Sequence, residues 1–176
     1  MPENSLHQAY LSLGSNIEPE RNLPAAVRML AEHGRVAAAS RVWETAPVDR
    51  SEQANYLNGA VLLETTLLAE ELRLEVIELI ERSLGRVRNP ADSYGPRTID
   101  IDITLFDRDV LQIGHRQIPD PSLLERCFVA IPLAEIAPRY VHPQVDHTLA
   151  EIASGFDAAN CPMLPRPDVK LSAYQI

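Results

Sequence analysis

Residues 9–14, Ala-Tyr-Leu-Ser-Leu-Gly, open the pattern by alternating short and large, mainly apolar positions, and the run stops at Gly14-Ser15-Asn16. Period-two alternation ending in turn formers predicts a strand entering a turn. Leu23, Val27 and Leu30 then recur at helical spacing, with Pro24 in the expected first turn and Gly34 past the end. Proline near the start and glycine after the end is the asymmetry of an α-helix. Residues 35–45, carrying Val36, Ser40, Val42 and Trp43, predict a second strand, and the polar stretch 46–54 a loop. A third strand is expected over 56–65. Leu72, Val76, Leu79 and Ile80 give one apolar face to a helix over 69–84, closed by Gly85. Residues 86–96 contain Pro90, Gly95 and Pro96 and are expected to form a mobile loop. The clearest strand is 98–106, with 110–113 expected to pair with it as a hairpin. Short helices are expected over 122–127, 132–136 and 148–154, and an extended tail over 161–176.

This order, β-α-β-β-α-β followed by helices, predicts an α+β fold. Its ferredoxin-like core is an antiparallel sheet with two helices packed on one face, and a short helical C-terminal extension follows. A length of 176 residues suits a single domain. Its core is expected at about residues 9–154. With 45% hydrophobic and 23% charged residues, the chain has material for a core without staples. Cys127 and Cys161 form neither a CxxC motif nor a Cys/His cluster, so no disulfide and no structural zinc are expected. The polar start with Glu3 does not read as a signal peptide, and no apolar run approaches the ~20 residues of a membrane span. A cytoplasmic protein without a membrane partner is expected.

The net charge of −9 argues against a nucleic-acid partner. Against that background Arg82, Arg86, Arg88 and Arg97 fall within 16 residues. Surface pairing with Glu78, Glu81 and Asp92 would explain them; so would a positive site for a nucleotide polyphosphate. The stretch from Gly95 to Phe106, GPRTIDIDITLF, bears on that choice. Alternation on a strand points Ile99, Ile101, Ile103 and Leu105 into the core, and Thr98, Asp100, Asp102 and Thr104 to the other face. Carboxylates at i and i+2 sit roughly 6–7 Å apart at the backbone. An ordinary half-exposed strand with a polar outer face is the plainer reading of an isolated Asp-x-Asp, but Asp is a poor strand former, and two like charges side by side favour a cation between them. Oxygen-only ligands beside arginines suit Mg²⁺ and phosphoryl transfer. Neither a Walker A sequence nor GxGxxG is present, so side chains and metal would hold the nucleotide. Tyr56 and Asn58 share a strand face, where the amide suits a heterocycle edge and the ring a stacking partner. A strand-start aromatic and an Asn bonded to nearby backbone are the plainer reading of that pair.

Taken together, LSLGSN, ETAPV, YLNGAVLLET, LGRVR, YGPRTIDIDI and ERCFVAIPLAEIAP strongly resemble the 6-hydroxymethyl-7,8-dihydropterin pyrophosphokinase family of folate biosynthesis. The resemblance runs from about residue 9 to 154. It implies a ferredoxin-like core and transfer of pyrophosphate from ATP to the pterin hydroxymethyl oxygen, with release of AMP. By position, Asp100 and Asp102 are implied as ligands of two Mg²⁺ ions, and Arg97 as the arginine that meets the ATP phosphates. With Arg86 and Arg88 they make up the implied catalytic set. Glu81 and Arg126 fall near the nucleotide. Thr45 and Val48 are implied to read the pterin largely through backbone groups, Asn58 its edge, and Tyr56 and Phe128 its ring. Mobile loops are implied at about 15–23, 46–54 and 86–95.

The chain departs from the family at Asp120, where members often have His, and at Pro121, where an aromatic often follows. It also departs at Tyr94, where some have Trp, and at Ala46, where some have Pro. No role is transferred to Asp120. ATP and a reduced pterin are the expected partners, acting on a monomer. A nucleotidyltransferase or cyclase, whose palm domains also carry paired aspartates on such a sheet, is the competing enzyme reading. A non-catalytic ligand-binding module is the reading from another class, and it would have no use for Asp100, Asp102 and Arg97 together.

Overall fold

The computed structural model describes residues 5–48 and 52–172, so parts of the predicted 46–54 loop and of the 161–176 tail lie outside the described residues. Strand β1 (His7–Ser15) lies inside the sheet and runs antiparallel to both neighbours. On one side is β4 (Tyr56–Thr65), with Leu11 opposite Val61; on the other is β5 (Asp100–Phe106), with Leu13 opposite Ile101. The sheet order is β5-β1-β4, then Trp43–Thr45 (β3) and Leu164–Pro165 (β8), and Arg35–Ala39 (β2) also pairs with β4. The expected second strand is two strands. β2 (Arg35–Ala39) pairs with the far part of β4, and β3 (Trp43–Thr45) with its start. Ser40 breaks the ladder between them: its hydroxyl accepts the Ala60 N–H at 2.8 Å in place of a strand carbonyl.

The two faces of the sheet differ. Leu11, Leu13, Val61, Leu63, Ile101 and Ile103 point to the helical face and are almost fully buried. They pack under Leu23, Val27 and Leu30 of α1 (Pro19–Leu30) and under Leu72, Val76, Ile77 and Ile80. Burial of each such side chain contributes about 1.5–3 kcal/mol. On the opposite face Tyr10, Ala60 and Leu105 form a second apolar cluster with Leu123, Val129, Ala130, Leu133 and Leu149. These come from α4 (Ser122–Glu125), α5 (Cys127–Ile136) and α6 (Leu149–Ser154). Only part of that face is covered, and its remainder is the polar end of the same strands.

Leu105 departs from its predicted direction. Leu11 faces Ile103 while Tyr10 faces Leu105, so Thr104 is an extra residue in β5. This bulge reverses the alternation, sends Leu105 to the second cluster and gives its place in the first to Phe106. The Thr104 carbonyl, displaced from the ladder, accepts the Asp120 N–H at 2.9 Å.

Helix 69–83 is continuous but not uniform: α2 (Ala69–Glu71) and α3 (Glu78–Ser83) flank a π-helical segment, Leu72–Ile77. Its wider turn spaces the buried positions four apart, as Leu72–Val76–Ile80 and Arg73–Ile77–Glu81. Leu79, expected on the core face, is therefore half exposed, and Arg73 and Glu81 turn inward. Gly85 ends the helix with φ +82°, a conformation that suits a residue without Cβ.

Other expectations are corrected. Helix α1 begins at Pro19, so Pro24 lies in its interior and most of the implied 15–23 loop is helix. The segment β6 (Leu111–Ile113) pairs with β7 (Arg116–Ile118) in a separate two-stranded sheet, and not with β5. Helix α5 starts at Cys127 and takes in the expected 132–136 helix. The tail adds the short strand β8 (Leu164–Pro165) beside β3 and places Val169 and Leu171 in the core. Cys127 and Cys161 form a disulfide, with Cα atoms 6.4 Å apart, where no bridge was expected. Separation by 34 residues hid their approach, because the tail folds back toward the start of α5.

Candidate active site

The uncovered end of the second face borders a cavity of about 310 Å³, within the range of small-molecule sites. Its floor is made by alternate residues of three adjacent strands: Ser12 and Gly14, Tyr56 and Asn58, Asp100 and Asp102. Gly14 lies opposite Asn58 and Asp100, and Ser12 opposite Asp102. A Cβ on Gly14 would come within 3.3 Å of the Asn58 amide oxygen, so glycine keeps the floor low. Thr45, Val48, Arg97, Arg126 and Phe128 form walls. The sequence-predicted residues thus divide into nine that line the cavity and three, Glu81, Arg86 and Arg88, that do not.

Those three stand behind Asp100. Glu81, 2% exposed, accepts from Arg86 Nη1 at 2.9 Å and the Ile101 N–H at 3.0 Å through one oxygen, and from Arg88 Nη2 at 2.9 Å through the other. Arg86 also donates to the Ile99 carbonyl at 3.2 Å and pairs with Asp100 Oδ1. Arg97 holds the second Asp100 oxygen at 2.7 Å. Burial opposes the charge on Asp100, yet Arg86 and Arg97 outweigh it and keep its carboxyl below the ordinary range. Arg73, also buried, donates to the Ile101 carbonyl at 2.9 Å. The backbone groups of Ile101 on the outer edge of β5 are thereby satisfied by side chains.

Asp102 differs. Burial, and then the adjacent Asp100 charge, push it up to about 7 in spite of its ion pair with Arg116. Two carboxylates on one strand face, one of them resisting ionisation through burial and then through the other's charge, suit a divalent cation that would relieve both. The donor set is all oxygen, which fits Mg²⁺ completed by water and phosphate. Among the described residues no three His, Cys, Asp or Glu side chains converge as a protein-only metal cage.

At the other end of the cavity Asn58 Nδ2 donates to Thr45 Oγ1 at 2.8 Å, which leaves the amide oxygen facing Gly14. Burial raises the pKa of the Tyr56 hydroxyl. Three loops are pinned together at the rim. Asn16 donates to Gln53 Oε1 at 3.1 Å and accepts the Arg97 N–H at 2.9 Å; Gln53 in turn donates to the Tyr94 carbonyl at 3.0 Å.

The model of the 7,8-dihydro-6-hydroxymethylpterin-pyrophosphokinase family matches residues 10–138, which span every strand of the cavity floor. The chain belongs to this family. The pyrophosphokinase is 44% identical over 131 residues to the 2-amino-4-hydroxy-6-hydroxymethyldihydropteridine pyrophosphokinase of Bacillus subtilis (strain 168), covering 73% of this chain and 77% of that one. It is 33% identical over 145 residues to the protein of the same name from Pseudomonas aeruginosa, covering 81% and 88%. Its fold matches the Plasmodium falciparum HPPK-DHPS structure with SDX-DHP at a TM-score of 0.68 and 16% identity. That match covers 88% of this chain and 45% of the other, so this chain spans less than half of that one. The pyrophosphokinase transfers a pyrophosphoryl group to hydroxymethyldihydropterin in folate biosynthesis, with ATP as co-substrate and a requirement for Mg²⁺. No helix of the described residues is long and apolar enough to cross a membrane.

Several residues of the pyrophosphokinase cavity, and of the arginine cluster beside it, escaped the sequence reading. Ser12 and Gly14 carried a usable signal, being two apart on a strand whose other face is apolar. Arg73 and Arg116 carried none, since the π-helical turn and the separate hairpin that aim them are invisible in hydrophobic spacing. Asp120 accepts the Ser122 N–H at 2.8 Å, which ties it to the start of α4.

Proposed function

We propose that the cavity binds ATP and the pterin at its two chemically different ends and passes pyrophosphate between them, with AMP as the leaving group. The observation that carries this reading is the shared floor. An amide and an aromatic ring stand on the same sheet face as a carboxylate pair flanked by arginine. Asn58 and Thr45 read the pterin edge, Val48 lies beside it, and Tyr56 and Phe128 bracket its ring, which aligns the hydroxymethyl oxygen for in-line attack. Arg97 and Arg126 face the polyphosphate. Glu81 and Arg86 act as positioning residues that hold Asp100 ionised and oriented. Arg88, half exposed, is free to turn toward the nucleotide from its Glu81 anchor.

Asp100 and Asp102 would hold Mg²⁺, two ions being the reading favoured by two carboxylates side by side. When bound, the metal neutralises phosphate oxygens and stabilises the leaving nucleotide. No general base is needed beyond the phosphate oxygens and water, so positioning and electrostatics supply the acceleration. The protein acts as a cytoplasmic monomer and as one domain from residue 1 to 176. The test is to incubate it with Mg²⁺-ATP and 6-hydroxymethyl-7,8-dihydropterin and identify the products. AMP that forms only with the pterin, matched by pterin diphosphate, is expected. ADP or free pyrophosphate as the nucleotide-derived product would overturn the proposal.

A further inference from the structure

Arg116 stands on β7, in a hairpin outside the main sheet, and reaches over the edge of β5 to Asp102. Among the described residues Asp102 is its one ion-pair partner. Behind it lies Arg73, held by the Ile101 carbonyl at 2.9 Å and standing 3.8 Å from Glu81. Arg73 is 4% exposed at the side chain and Arg116 27%, so of the two only Arg116 has room to move. A small cleft beside Asp102 is lined by Arg73, Arg116, Gln117 and Asp120. Two guanidiniums and a second carboxylate, Asp120, line this cleft with Asp102, and Asp120 is anchored through Oδ1 by the Ser122 N–H.

We propose that Arg116 switches partners during the catalytic cycle, covering Asp102 in the empty protein and passing to the nucleotide polyphosphate when a cation takes that carboxylate. This rests on the reading of Asp102 as a cation ligand. A divalent ion on Asp102 removes the counter-charge of Arg116 and adds a positive neighbour to the one already behind it. Repulsion from both directs the guanidinium to the incoming anion, where its planar fork matches phosphate oxygens. Arg116 is thus both a competitor of the free cation and a contact of the cation–nucleotide complex, and the two roles have opposite signs.

Calorimetric titration separates them. Mg²⁺ alone, and then a non-hydrolysable ATP analogue at saturating Mg²⁺, are titrated into the wild type, Arg116→Met and Asp102→Asn. Arg116→Met is expected to bind Mg²⁺ alone about fivefold more tightly, as the loss of a partly exposed pair allows. It is expected to bind the analogue about tenfold more weakly, for want of a charge-assisted contact. Weakening of both would make Arg116 structural, and an unchanged analogue affinity would send it to Asp120; either result overturns the proposal. Should Arg116→Met fail to fold, Arg116→Lys carries the test. It keeps the charge over Asp102 but not the fork, so Mg²⁺ binding holds while analogue binding weakens; unchanged analogue binding there also overturns it. Unaltered Mg²⁺ binding in Asp102→Asn would remove the metal assignment itself, a failure distinct from that of the switch.

Discussion

Glu81→Gln removes one charge from a buried cluster and leaves the shape of the side chain intact. Glu81 touches no part of the cavity, yet it accepts from Arg86, Arg88 and the Ile101 N–H and stands 3.8 Å from Arg73. Arg73 and Arg86 are 4% and 11% exposed at the side chain, so water cannot replace the lost charge. Removing one partner from a buried ion pair costs about 3–5 kcal/mol. Glutamine keeps one acceptor oxygen, which points to the low end, about 3 kcal/mol. Its amide hydrogens would also face a guanidinium. For a chain of this size that is a fall of about 6–12 °C in Tm. Urea and thermal unfolding of Glu81→Gln would be compared with Glu75→Gln, an exposed residue on the same helix expected to change stability by less than about 0.5 kcal/mol. Turnover should fall as well, since Arg86 would lose its anchor behind Asp100. If Glu81→Gln unfolds within about 1 kcal/mol of the wild type, the cluster is not a buried anchor of the fold.

Asp102→Ala should abolish turnover while leaving the far-ultraviolet circular dichroism unchanged; activity within about tenfold of wild type would remove Asp102 from the metal role. Because Asp102 is held up to about 7 in the metal-free protein, it is protonated below that pH, and a cation must displace the proton. Mg²⁺ affinity should therefore climb as pH rises toward about 7 and level off above it, with proton uptake by buffer visible in calorimetry; a flat profile would contradict this. Asn58→Ala should weaken pterin binding about tenfold or more while leaving nucleotide binding in place, as fluorescence titration of each ligand would reveal. Gly34→Ala places a Cβ 2.3 Å from the Glu64 carbonyl oxygen, a backbone atom that cannot step aside. It should cost about 2–3 kcal/mol in urea unfolding.

What was legible in the sequence was periodicity. Alternation in β1, β4 and β5 gave the strands that carry the floor, and the Asp100/Asp102 pair declared its shared face two residues apart. Local departures from periodicity were not legible, because each is decided by a partner far along the chain. The Ser40 hydroxyl breaks a strand by capping Ala60. Thr104 bulges where the Asp120 N–H takes its carbonyl. Helix 69–83 widens where Arg73 and Glu81 meet the edge of β5. The same holds for the disulfide, whose cysteines come together only when the tail returns. The residues implied by the family resemblance fell into a cavity-lining group and a supporting group. No linear motif separates Glu81, Arg86 and Arg88 from Arg97, Asp100 and Asp102, since both sets are charged and lie close in the chain.

The partial covering of the second sheet face divides labour along single strands. Tyr10, Ala60 and Leu105 sit under the C-terminal helices, while Ser12, Asn58 and Asp102, two or three positions away on the same strands, meet the substrate cavity. On the strands, the residues that glue this face to its helices are therefore not the residues that line the cavity. Side chains of the open half can thus change without unpacking the closed half. Substitutions on the open half would register in ligand binding before they register in stability.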